Sequence, residues 1–388
     1  LTLSEAYCYG SKSMFQKLRK ILLLLIAVLA IGYLFYKFRN SITLEGFQWG
    51  MVAHSICTAR ISLLVLALIA IYGCFAIRAV RWMRFSRAIG RMNFWHVYSA
   101  TLMGFTCSFL LGRAGEPIRP VLIAKKDSLP VPSMFGVYVL ERVFDMAAAA
   151  VIAGLALLAY EHNGTGSAPQ SDRIVSLART GGVVLFVLLA SAIAFLLYFR
   201  FHGAEWLARW LKKSTWQHGW RGKIVLLLEG FSDGLQGLRT WSDLGAVLAY
   251  SAAHWFLVVL VYVWIAHGFS SEPVLAAMTL SGALVVLAFT LVGSAVQLPG
   301  VGGGAQLATF LVLTLIFGVE KEPAATVSII LWLVTFAGCC LVGLPLLFRE
   351  GWSMGELRRM ATAEEQAAEA VESAEWAKKV EHLEERPR

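Results

Sequence analysis

The chain alternates long apolar runs with short charged segments, and the runs have the length of membrane-spanning helices. They cover about 21–36, 61–77, 94–111, 134–160, 176–199, 244–267, 274–298, 305–317 and 324–348. Several approach or exceed the roughly 18–20 residues that cross a bilayer as helix. The ten-residue alternation of an outer-membrane barrel is absent, so the spans are helical. No soluble domain of ordinary size fits between them. The pattern predicts an all-α polytopic membrane protein.

Two runs end on helix breakers. Gly112-Arg113-Ala114-Gly115-Glu116-Pro117-Ile118-Arg119-Pro120 follows Phe94–Leu111, and Pro299-Gly300-Val301-Gly302-Gly303-Gly304 follows the run from Val274 to Leu298. Broken helix at membrane depth leaves backbone groups that need partners in protein or in a polar cavity. Ionisable side chains there cost on the order of a few kcal/mol, and are usually paired and functional.

Loop charge indicates the path. Arg78, Arg81, Arg84, Arg87 and Arg91 follow the second run with no acid between them, which places that side in the cytoplasm. Lys17 to Lys20 at the other end of the first pair of spans agree. If 94–111 crossed fully, the loop 200–223 would lie outside. Yet that loop carries Arg200, Arg209, Lys212, Lys213, Arg221 and Lys223 against Glu205. The conflict disappears if 94–133 dips in and returns as a re-entrant hairpin. A second hairpin over 274–318 then enters from the opposite side. Each unit has an apolar arm, a Gly-x-x-Gly break (Gly112/Gly115; Gly300/Gly303), a second arm, a charged turn with proline and a full span. The expected architecture is about six full transmembrane helices plus two re-entrant helical hairpins related as an inverted repeat. Two unrelated glycine-rich kinks are the competing reading.

Residues 1–16 form an N-terminal extension, 17–349 the transmembrane domain, and 350–388 a charged cytoplasmic helical tail. Both termini are expected in the cytoplasm. Met14 is a natural start, and 21–36 reads as an uncleaved first span rather than a signal peptide ending near Val28-Leu29-Ala30. Segment 224–240 reads as an interfacial amphipathic helix, with Glu229 and Asp233 on one face.

Composition agrees with the membrane reading. Hydrophobic residues make up 58% of 388, mean hydropathy is +0.66, and 15% charged residues is well under the ~25% of soluble domains. The net charge of +9 is uneven, with 27 basic against 15 acidic residues before Arg349. That surplus suits topology and lipid headgroups rather than nucleic acid. The six cysteines have neither metal-ligand spacing nor a disulfide framework, and read as packing residues. His54, His96, His254 and His267 have no metal spacing either, although His254 beside Trp255 could face a cavity. Gly300 to Ala305 matches G-x-G-x-x-A by letters, but no βαβ unit surrounds it. No cofactor or metal is expected.

The first break carries the candidate chemistry. Arg113 and Arg119 can each grip a phosphate with two parallel N–H bonds. Glu116 can hold one of them in the absence of ligand, or receive a cationic headgroup. Gly112 and Gly115 permit close backbone approach, and a helix starting near Pro117 aims free N–H groups at an anion. Glu141, Arg142 and Asp145 in the next span need partners. They either answer the hairpin arginines or titrate and couple movement to protons. Alternatively, Arg113, Glu116 and Arg119 simply pin the hairpin shut. Around the second break, Gln297, Pro299, Gly300, Gly302, Gly303, Gly304 and Gln306 offer backbone donors and room rather than charge.

The run Gly112 to Arg119, with Glu141-Arg142-Val143-Phe144-Asp145 and Leu298-Pro299-Gly300-Val301-Gly302-Gly303, resembles the flippase-like transmembrane domain of lysylphosphatidylglycerol synthetases and their stand-alone relatives. The resemblance extends over about Lys17 to Arg349. It implies movement of lipids with polar headgroups between leaflets, with Arg113, Glu116, Arg119, Glu141, Arg142 and Asp145 at the matching positions. Where that family carries an Arg-Glu pair this chain has Ala305-Gln306, so the resemblance does not fix the headgroup. The soluble aminoacyl-transferase module is absent from this sequence. The expectation is a non-enzymatic lipid translocase of the bacterial inner membrane. Its partners would be membrane lipids with anionic or zwitterionic headgroups. A homo-oligomer and a cytoplasmic partner for the tail stay open. A membrane enzyme acting on a lipid-linked phosphate, or a non-transporting subunit of an envelope lipid pathway, are the alternatives.

Overall fold

The computed structural model describes residues 49–163, 240–294, 297–298 and 302–351. The expected first span, the run 176–199, the basic loop, the interfacial helix up to residue 239 and the tail beyond Gly351 lie outside them. Of two compact units, Leu1–Gly50 and Met51–Arg388, the second carries the architecture below.

Its helices are α1 (Ile61–Phe85), α2 (Phe94–Leu111), α3 (Ile118–Lys126), α4 (Val131–Asn163), α5 (Trp241–Gly268), α6 (Leu280–Gly293), α7 (Gly304–Leu315), α8 (Lys321–Trp332) and α9 (Cys340–Arg349). A π-turn, Leu333–Ala337, joins α8 to α9. Among the described residues, three stretches are long and apolar enough to cross a membrane: Ile61–Phe85, Trp241–Gly268 and Lys321–Arg349. Their outer faces expose large apolar side chains such as Ile61, Ile69, Phe256 and Leu341, which suits hydrocarbon and not water. Side-chain oxygens of Asn93, Thr240 and Thr279 cap the N-termini of α2, α5 and α6.

Helices α1 and α5 pack antiparallel along their whole length. Arg60 N–H donates to Gly268 O at one end, Arg81 reaches Ser251 midway, and Arg87 reaches Asp243 at the other. The two breaks are both turns of antiparallel helix pairs. In the first, α3 returns along α2: Gly104 faces Arg119, and Lys126 Nζ donates to Ser99 Oγ at 2.7 Å. A Cβ on Gly104 would lie 2.5 Å from the Arg119 Cβ, so glycine sets this approach. Gly112, at φ 67°, takes the left-handed turn that ends α2. In the second, α7 returns along α6: Gly293 meets Gly304, and Thr290 and Thr309 share a 2.7 Å hydroxyl bond. A two-residue antiparallel ladder, β1 (Gln297–Leu298) with β2 (Gly302–Gly303), closes its tip. Gly303 adopts φ 139°, open in practice to glycine.

The units run in opposite directions. The first hairpin starts at the C-terminal end of α1. The second starts at the C-terminal end of α5, where His267 Nε2 meets Met278 O at 2.9 Å. Since α1 and α5 are antiparallel, these are opposite ends of the molecule. Packing is reciprocal: α2 lies on α9, the helix after the second hairpin, and α6 lies on α4, the helix after the first. The two tips touch, the strand Gln297–Leu298 meeting the turn Gly112–Gly115. Each hairpin has its own apolar core, one around Trp82, Met103, Ile123 and Leu140, the other around Val259, Val286, Val312 and Val327.

Boundaries differ from expectation in two places. The second run does not end near Ile77: α1 continues as helix to Phe85 and takes Arg78 and Arg81 inside the fold. The stretch from Val274 is not one arm, because a short turn of helix, Pro273–Ala276, ends before Thr279 caps α6.

Candidate functional site

Two turns before its end, α1 presents Arg78 and Arg81 to α4. Arg81 is fully buried and Arg78 nearly so. Glu141, 1% exposed, receives Arg78 Nε at 3.2 Å and Arg81 Nη2 at 3.0 Å. Asp145, one turn on, accepts from Arg81 Nη2 at 2.7 Å, from Arg78, and pairs with Arg142 at 3.0 Å. Arg119 enters from α3. Its Nη2 lies 2.9 Å from Glu141 Oε2 without the alignment of a hydrogen bond, and its guanidinium stacks 4.3 Å from the Trp82 ring. Glu116 accepts the Tyr138 hydroxyl at 2.6 Å and stands 3.9 Å from Arg142.

The sequence-expected residues divide accordingly. Glu116, Arg119, Glu141, Arg142 and Asp145 come together. Glu116 does not hold Arg119, which goes to Glu141 instead. The Arg113 side chain, Pro299 and Gly300 lie outside the described part, as does the side chain of Gln297. Gly112 and Gly115 form the first tip. A Cβ on Gly115 would collide with Cys107 O, so this glycine closes the turn onto α2. Gln306 does not face the charged cluster; its Oε1 accepts the Gly303 N–H and so caps α7. Gly302, Gly303 and Gly304 build the second tip, and Gly303 and Gly304 are not among the residues lining the cavity described next.

Arg78 and Arg81 were missed as site residues. Read as loop charges, they marked topology; folded, they are the main partners of Glu141 and Asp145. Their spacing of three, continued by Arg84 and Arg87, is the helical signal that could have found them. Arg84 and Arg87 remain exposed near Asp243, at 3.8 and 3.2 Å, and keep the surface role.

Beside the cluster opens a cavity of about 640 Å³. On three helices its lining passes from polar to apolar within about two or three turns. On α1 it goes from Arg78 to Ile71, on α4 from Arg142 and Asp145 to Ala149, and on α5 from His254 to Tyr262. Arg78 is six residues from Arg84, so the polar end lies about 9 Å below the exposed arginines at helical rise. Around it stand four guanidiniums (Arg78, Arg81, Arg119, Arg142) and three carboxylates (Glu116, Glu141, Asp145), a surplus of one positive charge among the described residues. A cavity of this kind can hold an anion at one end and hydrocarbon at the other.

Fold and site define a helical membrane protein whose spans enclose a guanidinium-rich, amphiphilic cavity. The chain belongs to the family described as the lysylphosphatidylglycerol synthase TM region, whose family model matches residues 20–343. No curated protein matches it.

Proposed function

We propose that this chain is a lipid translocase, which binds the phosphate of a polar lipid in the amphiphilic cavity and moves that headgroup between leaflets. The carrying observation is the cavity itself: arginines at one end, apolar side chains at the other, in one space large enough for a headgroup and the start of its chains. A phosphodiester would meet Arg119 and Arg142 while its acyl chains stay against Ile71, Val258 and Leu287. In this reading the two helical hairpins are re-entrant in a bilayer that about six full spans cross, and the hairpins rock against one another to change access. The exposed Arg84 and Arg87, with Lys125 and Lys126, face the cytoplasm of a bacterial inner membrane by the positive-inside rule. Both chain termini then lie on that side. The chain performs no bond chemistry, and movement is either downhill or coupled to an ion. The C-terminal tail and any homo-oligomer are secondary to this role.

The test is reconstitution into vesicles carrying tail-labelled phospholipids, with dithionite bleaching of the outer leaflet. Wild-type protein accelerates exchange between leaflets. Arg142→Gln and the Arg113→Ala, Arg119→Ala double variant, each inserted to the same level, are expected to lose at least about tenfold in rate, the scale of one lost charge-assisted bond. Unchanged exchange in both would refute the site.

A further inference from the structure

At one end of the molecule the structure gathers the ends of α1, α2, α3, α5 and α9. Arg87 Nη1 lies 3.2 Å from Asp243 and joins the end of α1 to the start of α5. His96 Nδ1 lies 2.6 Å from Asp127 and joins the start of α2 to the end of α3. Lys126 pairs with Glu350 and joins α3 to the end of α9. This rim is basic. Arg84, Arg87, Arg91, Lys125, Lys126 and Arg349 stand there against Asp127, Asp243 and Glu350, a surplus of three positive charges among the described residues with His96 neutral. Arg84 and Arg87 share the one carboxylate of Asp243, at 3.8 and 3.2 Å, and their side chains stay 40% and 66% exposed.

The chain leaves the fold on the same rim. Gly351, at φ 74°, follows Glu350 at the end of α9. Residues 352–388 lie outside the described part, and their sequence carries the complementary charge. From Met360 to Ala377 there are five glutamates and no basic residue. Glu364, Glu365, Glu369 and Glu372 have no Lys or Arg within four positions, so a helix offers them no internal ion pair. In helical register Glu365, Glu369 and Glu372 share a face, where like charges three and four apart repel. A basic surface removes that cost. Farther on, Lys378, Lys379, Arg386 and Arg388 offset Glu381, Glu384 and Glu385.

The tether has the reach. The chain from Gly351 to Glu364 spans on the order of 40 Å when extended. Neighbouring helices pack about 8–10 Å apart, so the rim is about 30 Å across. A flexible link of this length holds the block near the rim at an effective concentration on the order of mM. The anionic surface of a cytoplasmic leaflet repels the same block.

We propose that the glutamate block 364–375 docks on this rim, as an intramolecular partner of Arg84, Arg87 and Arg91. The contact continues the Lys126–Glu350 pair along the chain. It lays the tail over the end of the bundle nearest the charged cluster, and it does not depend on the translocase reading.

Zero-length carbodiimide coupling of the full chain, mapped by mass spectrometry, tests it. Arg87→Lys and Arg91→Lys keep the rim charge and supply amines, which join only to carboxylates in contact. In micelles of an uncharged detergent these amines are expected to couple to Glu364, Glu365, Glu369 and Glu372 at least about fivefold more than to Glu381, Glu384 and Glu385, the weight of two or three exposed ion pairs. Coupling of Lys126 to Glu350 is the internal standard for an intact fold. Ala367→Arg, Ala370→Arg and Ala374→Arg, made together, keep every carboxylate while offsetting most of the block's charge, and should lower the coupling about fivefold. Salt at about 1 M, where the screening length is about 3 Å, should do the same. Even coupling along the tail, or coupling unchanged by the added arginines, would overturn the proposal. A yield that falls on dilution would assign the block to a second copy and overturn it too. So would coupling that persists in phosphatidylcholine vesicles but disappears in phosphatidylglycerol vesicles, which would give the rim to the leaflet.

Discussion

Replacing Glu141 by Gln should destabilise the fold by about 3–5 kcal/mol, the cost of removing one partner from a buried ion pair. Three guanidiniums sit within 3.2 Å of this carboxylate, and its side chain is 1% exposed. Water cannot replace the lost charge, so Arg78, Arg81 and Arg119 would face one another with Asp145 alone between them. Two like charges about 4 Å apart repel by about 4 kcal/mol at the effective dielectric of a protein surface. The local surplus would rise from one positive charge to two. The assay is reversible unfolding in mixed micelles with rising dodecyl sulfate, followed by tryptophan fluorescence, which the Arg119–Trp82 stack makes sensitive to this site. Adding Arg119→Gln to the variant removes the strongest orphan, and the pair should show a coupling of about 0.5–3 kcal/mol. A loss below about 1 kcal/mol for Glu141→Gln would refute the reasoning, since pairs that relaxed into water are worth no more than that.

Three further outcomes follow from the packing. Gly104→Val would drive a branched side chain into the Arg119 Cβ, 2.5 Å from the position of the first added carbon, and should cost about 1–3 kcal/mol in the same unfolding assay. Thr290→Val alone should cost about 1 kcal/mol by removing the bond to Thr309, whose hydroxyl keeps Ala305 O, and the Thr290→Val, Thr309→Val pair should cost less than the sum of the single variants; strict additivity would contradict a shared hydroxyl bond. Glu272, outside the spans, has its carboxyl raised above the ordinary value by burial and then by Glu320. The unfolded chain therefore releases this proton at lower pH than the folded one, so this carboxyl lowers stability as pH rises through the unfolded value toward the folded one. Glu272→Gln should flatten that fall, and a pH profile identical to wild type would exclude it.

Much of the fold was legible because hydrocarbon leaves few choices. Gly112, Gly115 and Pro117 end one helix and start another, and α3 does begin at Ile118 with Pro117 before it. Glu141 and Asp145 announced buried partners by their type and spacing. What the sequence could not name was the helix that supplies those partners. Arg78 and Arg81 follow a run of apolar residues, and the positive-inside rule assigns such arginines to a loop. Their burial depends on α4 crossing α1 at that height, a contact between residues about 60 positions apart. Gln306 failed for the converse reason: a polar residue three positions into a helix is as well used by its own backbone as by a ligand.

The same constraint explains why charges and glycines carry the cohesion of this protein. Lipid tails are as apolar as leucine, so burying leucine between two helices in a bilayer gains little; close backbone contact and polar links must hold the units together. Glycines stand at the close contacts: Gly104 against Arg119, Gly115 against Cys107, Gly293 against Gly304, and Gly343 against Thr106. The first and third close a hairpin onto itself, while Gly343 binds the second unit's last helix to the first unit's hairpin. Polar links cross between the halves at several heights, Arg87 reaching Asp243, Lys126 pairing with Glu350 and, deepest in the charged cluster, Arg81 joining Glu141 of α4 to Ser251 of α5. The cavity opens beside the last of these links. In the proposed translocase a ligand anion entering there would compete with Glu141 and Asp145 for the same guanidiniums, coupling occupancy to the grip of α1 on α4 and α5 through one set of side chains.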